Sequence, residues 1–334
     1  MIPASGVKET EDRTTSSNSS TVKISVVVAT FNRRESLRQL LESLANQTLS
    51  PTLFEVVIVS DGSTDGTAEL VRELSMGRKN LKLLEMANRG PGAARNAGTR
   101  AARGRYLAFT DDDCLASEDW LEQLLLVFER TGALGVQGRT TTNRLARTPL
   151  THQMEVLSPW LAAMPTCNAA YRKDAFDGAG GFDEAFPFAH NEDADLAWRV
   201  EELGKIVFAP EVHIIHPPRP DSFAKRARWV RCFESDFLLF YKNPEKYHRY
   251  VSFSPWWTIY WKIFIVGQMR LAKSCCRYLV KPFRPENVLV GLCLVVARWF
   301  YLIRFFPQYL KAQAFYRSMV PANDGNAPLK RAVE

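Results

Sequence analysis

"KISVVVAT" (Lys23–Thr30), "ESLRQLLESLANQ" (Glu35–Gln47) and "FEVVIVS" (Phe54–Ser60) decide the fold. The outer two runs are β-branched and almost continuously apolar, as parallel strands covered on both faces must be. The middle run sets Leu37, Leu40, Leu41 and Leu44 at helical spacing, which gives one apolar stripe. Strand, helix and strand in this order make a βαβ unit, the crossover that a parallel pair requires.

The alternation continues with a helix from about Thr64 to Leu74, a strand near Leu81–Glu85, a helix through Ala93–Ala102, the strand "RYLAFT" from Arg105, and a helix at about Glu118–Gly132. It predicts an α/β fold: a doubly wound, mostly parallel sheet flanked by helices, with ligands bound beyond the carboxyl ends of the strands. Past Gly132 the pattern loosens. "LGVQGRT" (Leu134–Thr140) and "TCNAAYR" (Thr166–Arg172) read as strands. "NEDADLAWRVEELG" reads as a helix with Leu196, Val200 and Leu203 on one face, and "KIVFAP" and "VHIIH" as two further strands closing at "HPPRP". No solenoid-type repeat is present.

Three strand ends carry chemistry. Asp61 closes the second strand, where a carboxylate can accept from a base N–H or a ribose hydroxyl, although "SDGSTDGT" would also serve as a turn and helix cap. "TDDDC" follows the fourth. Asp111 and Asp113, separated by one residue, can point the same way in extended chain, so one can ligate a hard divalent cation while the other takes a ribose hydroxyl. The spacing of a calcium EF-hand is missing. "HNEDADLAW" supplies a second acidic cluster: acids in a helix's first turn suit its dipole, and Asp195 is four residues from Arg199, yet a carboxylate at a pocket edge can instead act as a general base. "NRGPGAARNAG" opens a helix without matching either nucleotide-fold glycine fingerprint, and its Arg95 suits phosphate oxygens or a plain helix surface. His216 ends a strand next to two prolines, as a structural residue or a further metal or diphosphate ligand.

In order, "VVVATFNR" (Val26–Arg33), "VVIVSDGSTDGT" (Val56–Thr67), "GPGAARNAG" (Gly90–Gly98), "GRYLAFTDDDC" (Gly104–Cys114), "GGFDE" (Gly180–Glu184) and "NEDADLAWRV" (Asn191–Val200) resemble glycosyltransferase family 2, with its GT-A fold, over about residues 23–216. The resemblance implies a nucleoside-diphosphate sugar donor, a Mn2+ or Mg2+ cofactor and transfer with inversion. It sets Ala29, Phe31 and Asp61 around the base, with Arg95 near the base or diphosphate. Asp111 falls to the ribose and Asp113, with His216, to the metal; Asp112 joins the donor-binding group without a settled role. Gly181, Phe182, Asp183 and Glu192 fall on the acceptor side, with Asp193 as the base. Ala29 stands where many relatives have Pro or Thr. "KRARW" keeps Arg226, Arg228 and Trp229 of the processive polymerases' signature but lacks its Gln, which argues for transfer of one sugar.

The chain of 334 residues, 46% hydrophobic, can bury a large core, and the balance of +7 points to an anionic neighbour. Basic residues concentrate late, at Lys225, Arg226, Arg228, Arg231, Lys262, Arg270, Lys273, Arg277 and Lys281, among apolar runs. That suits an anionic membrane surface rather than nucleic acid. "FAKRARWVRCFESDFLLFYK" reads as one basic amphipathic helix, and "NVLVGLCLVVARWFYLIRFF" has only ~10 uncharged apolar residues before Arg298, short of the ~20 of a spanning helix. A buried core helix is the other reading. The six cysteines show no metal or disulfide spacing.

The expected division is a disordered tail over 1–22, a catalytic domain over 23–220, a helical, membrane-associated region over 221–320 and a polar tail over 321–334. The expected location is the cytoplasmic face of a membrane, peripheral or monotopic and not secreted. The acceptor is a glycan or lipid-linked hydroxyl in cell-surface glycan or glycolipid synthesis. Alternatives are a polyprenyl-phosphate acceptor and a non-catalytic nucleotide-sugar or glycan-binding module.

Overall fold

In β1 (Ile24–Thr30), Val26 and Val28 face Leu37, Leu40, Leu41 and Leu44 of α1 (Arg34–Ala45), and all are buried in one cluster. Val27 points the other way, into a second cluster. The strand is therefore covered on both faces, as its unbroken apolar run requires. β2 (Phe54–Asp61) pairs with β1 in parallel from Ile24–Phe54 to Thr30–Ser60. This structure is a computed structural model describing residues 22–143, 148–160, 162–269, 273 and 285–319. The tail expected before Val22, the basic positions Arg270, Arg277 and Lys281 and the polar tail over 321–334 lie outside the described residues.

After α2 (Thr67–Ser75), β3 (Leu81–Met86) adds to β2 in parallel. The chain then returns through α3 (Pro91–Ala101) to place β4 (Tyr106–Phe109) on the other flank of β1, again parallel. The order β3-β2-β1-β4 reverses direction between β1 and β4, which opens a crevice at their carboxyl ends.

Close packing of α3 on the sheet rests on Gly98, where an added Cβ would come within 2.5 Å of Val27 Cγ1 and 3.0 Å of Val59 Cγ2. Gly98→Ala is expected to cost about 1–3 kcal/mol through overpacking. A lower denaturant midpoint at unchanged m-value would report it; an unchanged midpoint would show that the helix can lift freely.

The remaining strands depart from a purely parallel design. They follow as β5 (Leu115–Ala116), α4 (Trp120–Thr131), β6 (Gly135–Thr141), β7 (Thr151–His152), β8 (Ala169–Arg172), α5 (Lys173–Gly178), α6 (Glu192–Leu203), β9 (Ile206–Ile215) and β10 (Arg219–Pro220). β8 lies antiparallel between β4 and β6, β9 is parallel to β6, and β5 closes the edge: β3-β2-β1-β4-β8-β6-β9-β5. The two strands expected in "KIVFAP" and "VHIIH" are one, β9, whose register with β6 shifts at Gly138/Arg139. Asn168 satisfies that bulge, donating to the carbonyls of Arg139 and Val212 at 2.9 Å each. On α6, Leu196 and Val200 are buried as expected, but Leu203, at the frayed last turn, is 52% exposed.

The expected single basic helix is broken into α7 (Phe223–Arg228), a 3₁₀ turn at Trp229–Phe233 and α8 (Glu234–Lys242). The tighter turn keeps Val230 and Phe233, three apart, in the same buried cluster. α9 (Pro244–Tyr250) and α10 (Pro255–Trp257), which runs into a π-helix at Thr258–Ile265, lead towards α11 (Pro285–Ser318). Leu294, Leu302, Phe305, Tyr309, Ala312 and Tyr316 are the buried side of α11, and all but Leu294 join the cluster that holds Val230, Phe233 and Phe237. α11 continues through Arg298 for 34 residues. Its most apolar window has mean hydropathy 1.9 and only 22% of it is buried. The α/β part and the C-terminal helices share packing: Ala194 and Trp198 of α6 cluster with Leu239 and Tyr247.

Candidate active site

The acids expected to carry function meet where β1, β2 and β4 end. Near the end of β1, Ala29 is half-buried, and just beyond it Phe31 is 47% exposed. Asn32 follows in the left-handed region (φ 52°). Its Oδ1 accepts from the Thr64 N–H at 2.7 Å and its N–H donates to Ser63 Oγ at 3.1 Å, so the loops after β1 and β2 are tied together. Asp61 accepts from the N–H groups of Arg89 and Gly90, each at 2.8 Å, which fixes the loop entering α3.

Arg95, buried on α3, joins the two acidic clusters. It donates to Asp111 Oδ1 at 3.1 Å and to Glu192 Oε1 at 3.3 Å, and lies 5.7 Å from the centre of the Phe182 ring. Its contacts here are carboxylates.

The three aspartates separate sharply. Asp111 is partly open beside Arg95. Asp112 is buried, and burial pushes its pKa up to about 7 against the pull of Arg33, whose Nη1 is 3.3 Å away. Asp113 Oδ2 accepts from both Arg33 and Arg219 at 2.7 Å, and its Oδ1 lies 3.5 Å from His216 Nε2. Burial opposes its charge, but His216, Arg219 and Arg33 outweigh that and hold its pKa below the usual carboxylate value. Asp113, Cys114 and His216 bring their ligand atoms within 4.8 Å of one another. Burial raises the Cys114 thiol far above its ordinary pKa, so it stays protonated and a poor ligand for a hard ion. His216 is buried, with its ring 5.6 Å from that of His152, a residue whose pKa is lowered to about 4 by burial, Arg219 and His216.

On the opposite wall Asn191, left-handed at φ 74°, turns the chain into α6. Glu192 is buried; burial raises its pKa although Arg95 resists. Asp193 keeps partial access, and burial together with the Glu192 charge pushes it up to about 8. Asp195 is fully buried and structural, bound by Arg199 at 2.6 Å and Lys242 at 2.7 Å. Asp183 also pairs with Lys242, at 2.5 Å, while Gly181 and Phe182 are buried beneath the wall. Lys242 of α8 therefore braces both "GGFDE" and "NEDADLAW".

Sequence reasoning passed over Arg33, Arg219, His152 and Lys242. Arg33 and Arg219 stand inside quoted motifs, but nothing local marks them as partners of Asp113. A recess of about 500 Å³ beside this cluster is lined by Asn32, Arg33, Arg34, Asp65, Arg219 and Lys225, among others. A larger hollow of about 840 Å³, lined by Val22, Leu41, Arg78 and Arg103 among others, sits at the amino ends of the strands, away from these acids.

The same fold recurs in the mannosyltransferase PcManGT from Pyrobaculum calidifontis, solved with GDP-Man and Mn2+ (TM-score 0.53, 20% identity, 90% of this chain and 88% of that one). It recurs in TarS from Staphylococcus aureus, solved with UDP (TM-score 0.53, 18% identity, 92% and 99%). Over 210 residues the chain is 31% identical to the glycosyltransferase AglE of Haloferax volcanii, covering 59% of this chain and 67% of that protein. An open α/β sheet with acids gathered at its switch point thus defines a glycosyltransferase of the GT-A fold. Residues 25–182 match the model of glycosyl transferase family 2, and the chain belongs to that family.

Proposed function

We propose that the enzyme transfers one sugar from a nucleoside-diphosphate sugar to an acceptor hydroxyl, with inversion and with a divalent cation. The observation that carries this reading is the junction at Arg95, which sets the Asp111 end of the donor crevice against the Glu192–Asp193 wall. GDP-Man, bound by one structural neighbour, is a donor of the proposed kind, and UDP, bound by the other, is the leaving group of such a donor.

The donor set fits a Mn2+ or Mg2+ ion. Two ligands at about 2.1 Å on adjacent octahedral positions lie about 3 Å apart, close to the 3.5 Å between Asp113 Oδ1 and His216 Nε2. Asp113 and His216 would hold the ion, with diphosphate oxygens and water completing the sphere. When bound, it supplies positive charge to the departing nucleoside diphosphate. Phe31 packs on the base beside Ala29 and Asp61, Asp111 takes the ribose, and Arg33 and Arg219 stand ready for diphosphate oxygens. Asp112, buried and held by Arg33, supports the loop from behind. Asp193 removes the acceptor proton, and its raised pKa matches a base working near neutral pH. Gly181, Phe182 and Asp183 shape the acceptor wall.

In this reading residues 23–220 are the catalytic unit, and 221–320 set it on the cytoplasmic face of a membrane through the exposed side of α11. The work is cell-surface glycan or glycolipid synthesis. A panel of UDP-, GDP- and dTDP-sugars, assayed for hydrolysis without acceptor, should give one donor class whose turnover disappears with chelator and returns with Mn2+ or Mg2+. Turnover of every donor unaffected by chelator would overturn the metal assignment; no turnover of any would favour a binding module.

A further inference from the structure

We propose that Arg226 and Arg298 form a binding site for the phosphate of a membrane-lipid headgroup, at the seam of α7 and α11. The inference rests on the membrane reading above and names the group on the protein that would recognise the lipid.

Arg298 Nε donates to the main-chain oxygen of Arg226 at 3.3 Å, so the two residues meet at this seam. Both are half-buried. Arg226 Nε is shut off from water and, among the described residues, has no hydrogen-bond partner. Among the described residues neither guanidinium has a carboxylate within ion-pair distance; the acid that acts on Arg226, Asp221, is held by Lys225 at 3.1 Å. Burial and the neighbouring Arg226 charge lower Arg298 to about 10, which still leaves it a cation at neutral pH. Two like charges withdrawn from water with no acid between them are costly, and an anion relieves that cost. The planar fork of arginine suits phosphate oxygens in particular.

The surroundings choose among phosphates. On α11 the seam borders an exposed face of Leu289, Leu292, Val296, Trp299, Phe300 and Ile303, which are 40–70% exposed. Arg298 sits inside this apolar run but faces α7, its stem among carbon and its fork at the seam. An apolar face bordered by paired cations matches a bilayer surface, where acyl chains meet the face and phosphates lie at the level of the forks. Free phosphate in water has no use for the apolar border.

The full chain is mixed with vesicles of a neutral galactolipid, alone or doped with phosphatidylglycerol, and binding is read by flotation. The native chain should prefer the doped vesicles by about tenfold. Arg226→Gln with Arg298→Gln should lose the preference while still binding weakly through the apolar face. Arg228→Gln with Arg304→Gln removes the same charge from exposed positions on the same helices and should keep it; equal loss in both pairs would reduce the effect to general electrostatics and overturn the site. A second arm uses short-chain phosphatidylglycerol below its micelle concentration, read by tryptophan fluorescence, with inorganic phosphate as competitor. Binding there but to no vesicle sinks the membrane reading and keeps the site. Binding unchanged in the Arg226/Arg298 pair, absent from the native chain, or matched by inorganic phosphate overturns the site itself. Equal thermal midpoints for the variants keep misfolding out of the comparison.

Discussion

Asp113→Asn is expected to lower turnover by about 10³-fold at saturating donor, because the proposed metal ligand loses the charge that holds the cation against the diphosphate. Of the three aspartates, it is the carboxylate bound by two arginines: Arg33 and Arg219 both donate to it and His216 faces its other oxygen. An amide keeps the shape but offers one weak acceptor. Mn2+ binding, followed by the loss of its free electron paramagnetic signal, should fall in parallel with activity. Donor affinity in excess Mn2+ should fall as well. Asp112→Asn is the internal contrast. Its carboxylate is buried against Arg33, with burial raising its pKa, and it is Asp113 that His216 faces, so neutralising Asp112 should leave Mn2+ binding almost untouched. If Asp113→Asn retained the native rate and Mn2+ affinity while Asp112→Asn lost both, the metal would belong to the middle aspartate.

Much of this arrangement could be read along the chain, for a physical reason. β1, α1 and β2 announce themselves because each buries residues at its own period, two-sided for the strands and every three to four residues for the helix. Chain direction and crossover rules then fix which ends of the strands meet, so Phe31, Asp61 and Asp111 could be placed on one edge before any contact was known. The acids of "TDDDC" were legible as a group. Their division into an open, a buried and an arginine-bound member was not, because it depends on Arg33 and Arg219, respectively 80 and 106 residues away in the chain.

The same limit explains the later departures. A four-residue strand such as β8 carries no signal for its direction, and only packing shows it antiparallel. Arg298 broke the apolar count of α11 because a linear window cannot tell a charge on the packed face from one on the outer face. In the structure it turns towards α7, and the outer face stays apolar. Lys242 looked like one more basic residue of an amphipathic helix. It serves instead as the shared counter-charge of Asp183 and Asp195, which links the C-terminal helices to the wall that carries Glu192 and Asp193.

Asp193→Asn should separate chemistry from binding. Asp193 Oδ1 accepts from the Ala194 N–H at 2.9 Å, and it is Glu192, not Asp193, that takes the hydrogen bond from Arg95 at 3.3 Å. Donor affinity should therefore hold while turnover to a hydroxyl acceptor falls by about 10²–10⁴-fold, the range for losing a positioned general base. The pH profile supplies the sign. A base must be deprotonated to act, so kcat/KM of the native enzyme should rise with pH through an apparent value near 8 and decline below it, a value that belongs to the coupled Glu192–Asp193 pair. In the asparagine variant that rise should vanish and the residual rate become flat. A phosphate acceptor, already ionised at neutral pH, needs no such base. Transfer that survives Asp193→Asn without a change in pH dependence would therefore move the enzyme to the polyprenyl-phosphate class, with the Glu192–Asp193 wall serving to orient the lipid phosphate's counter-charges rather than to take a proton.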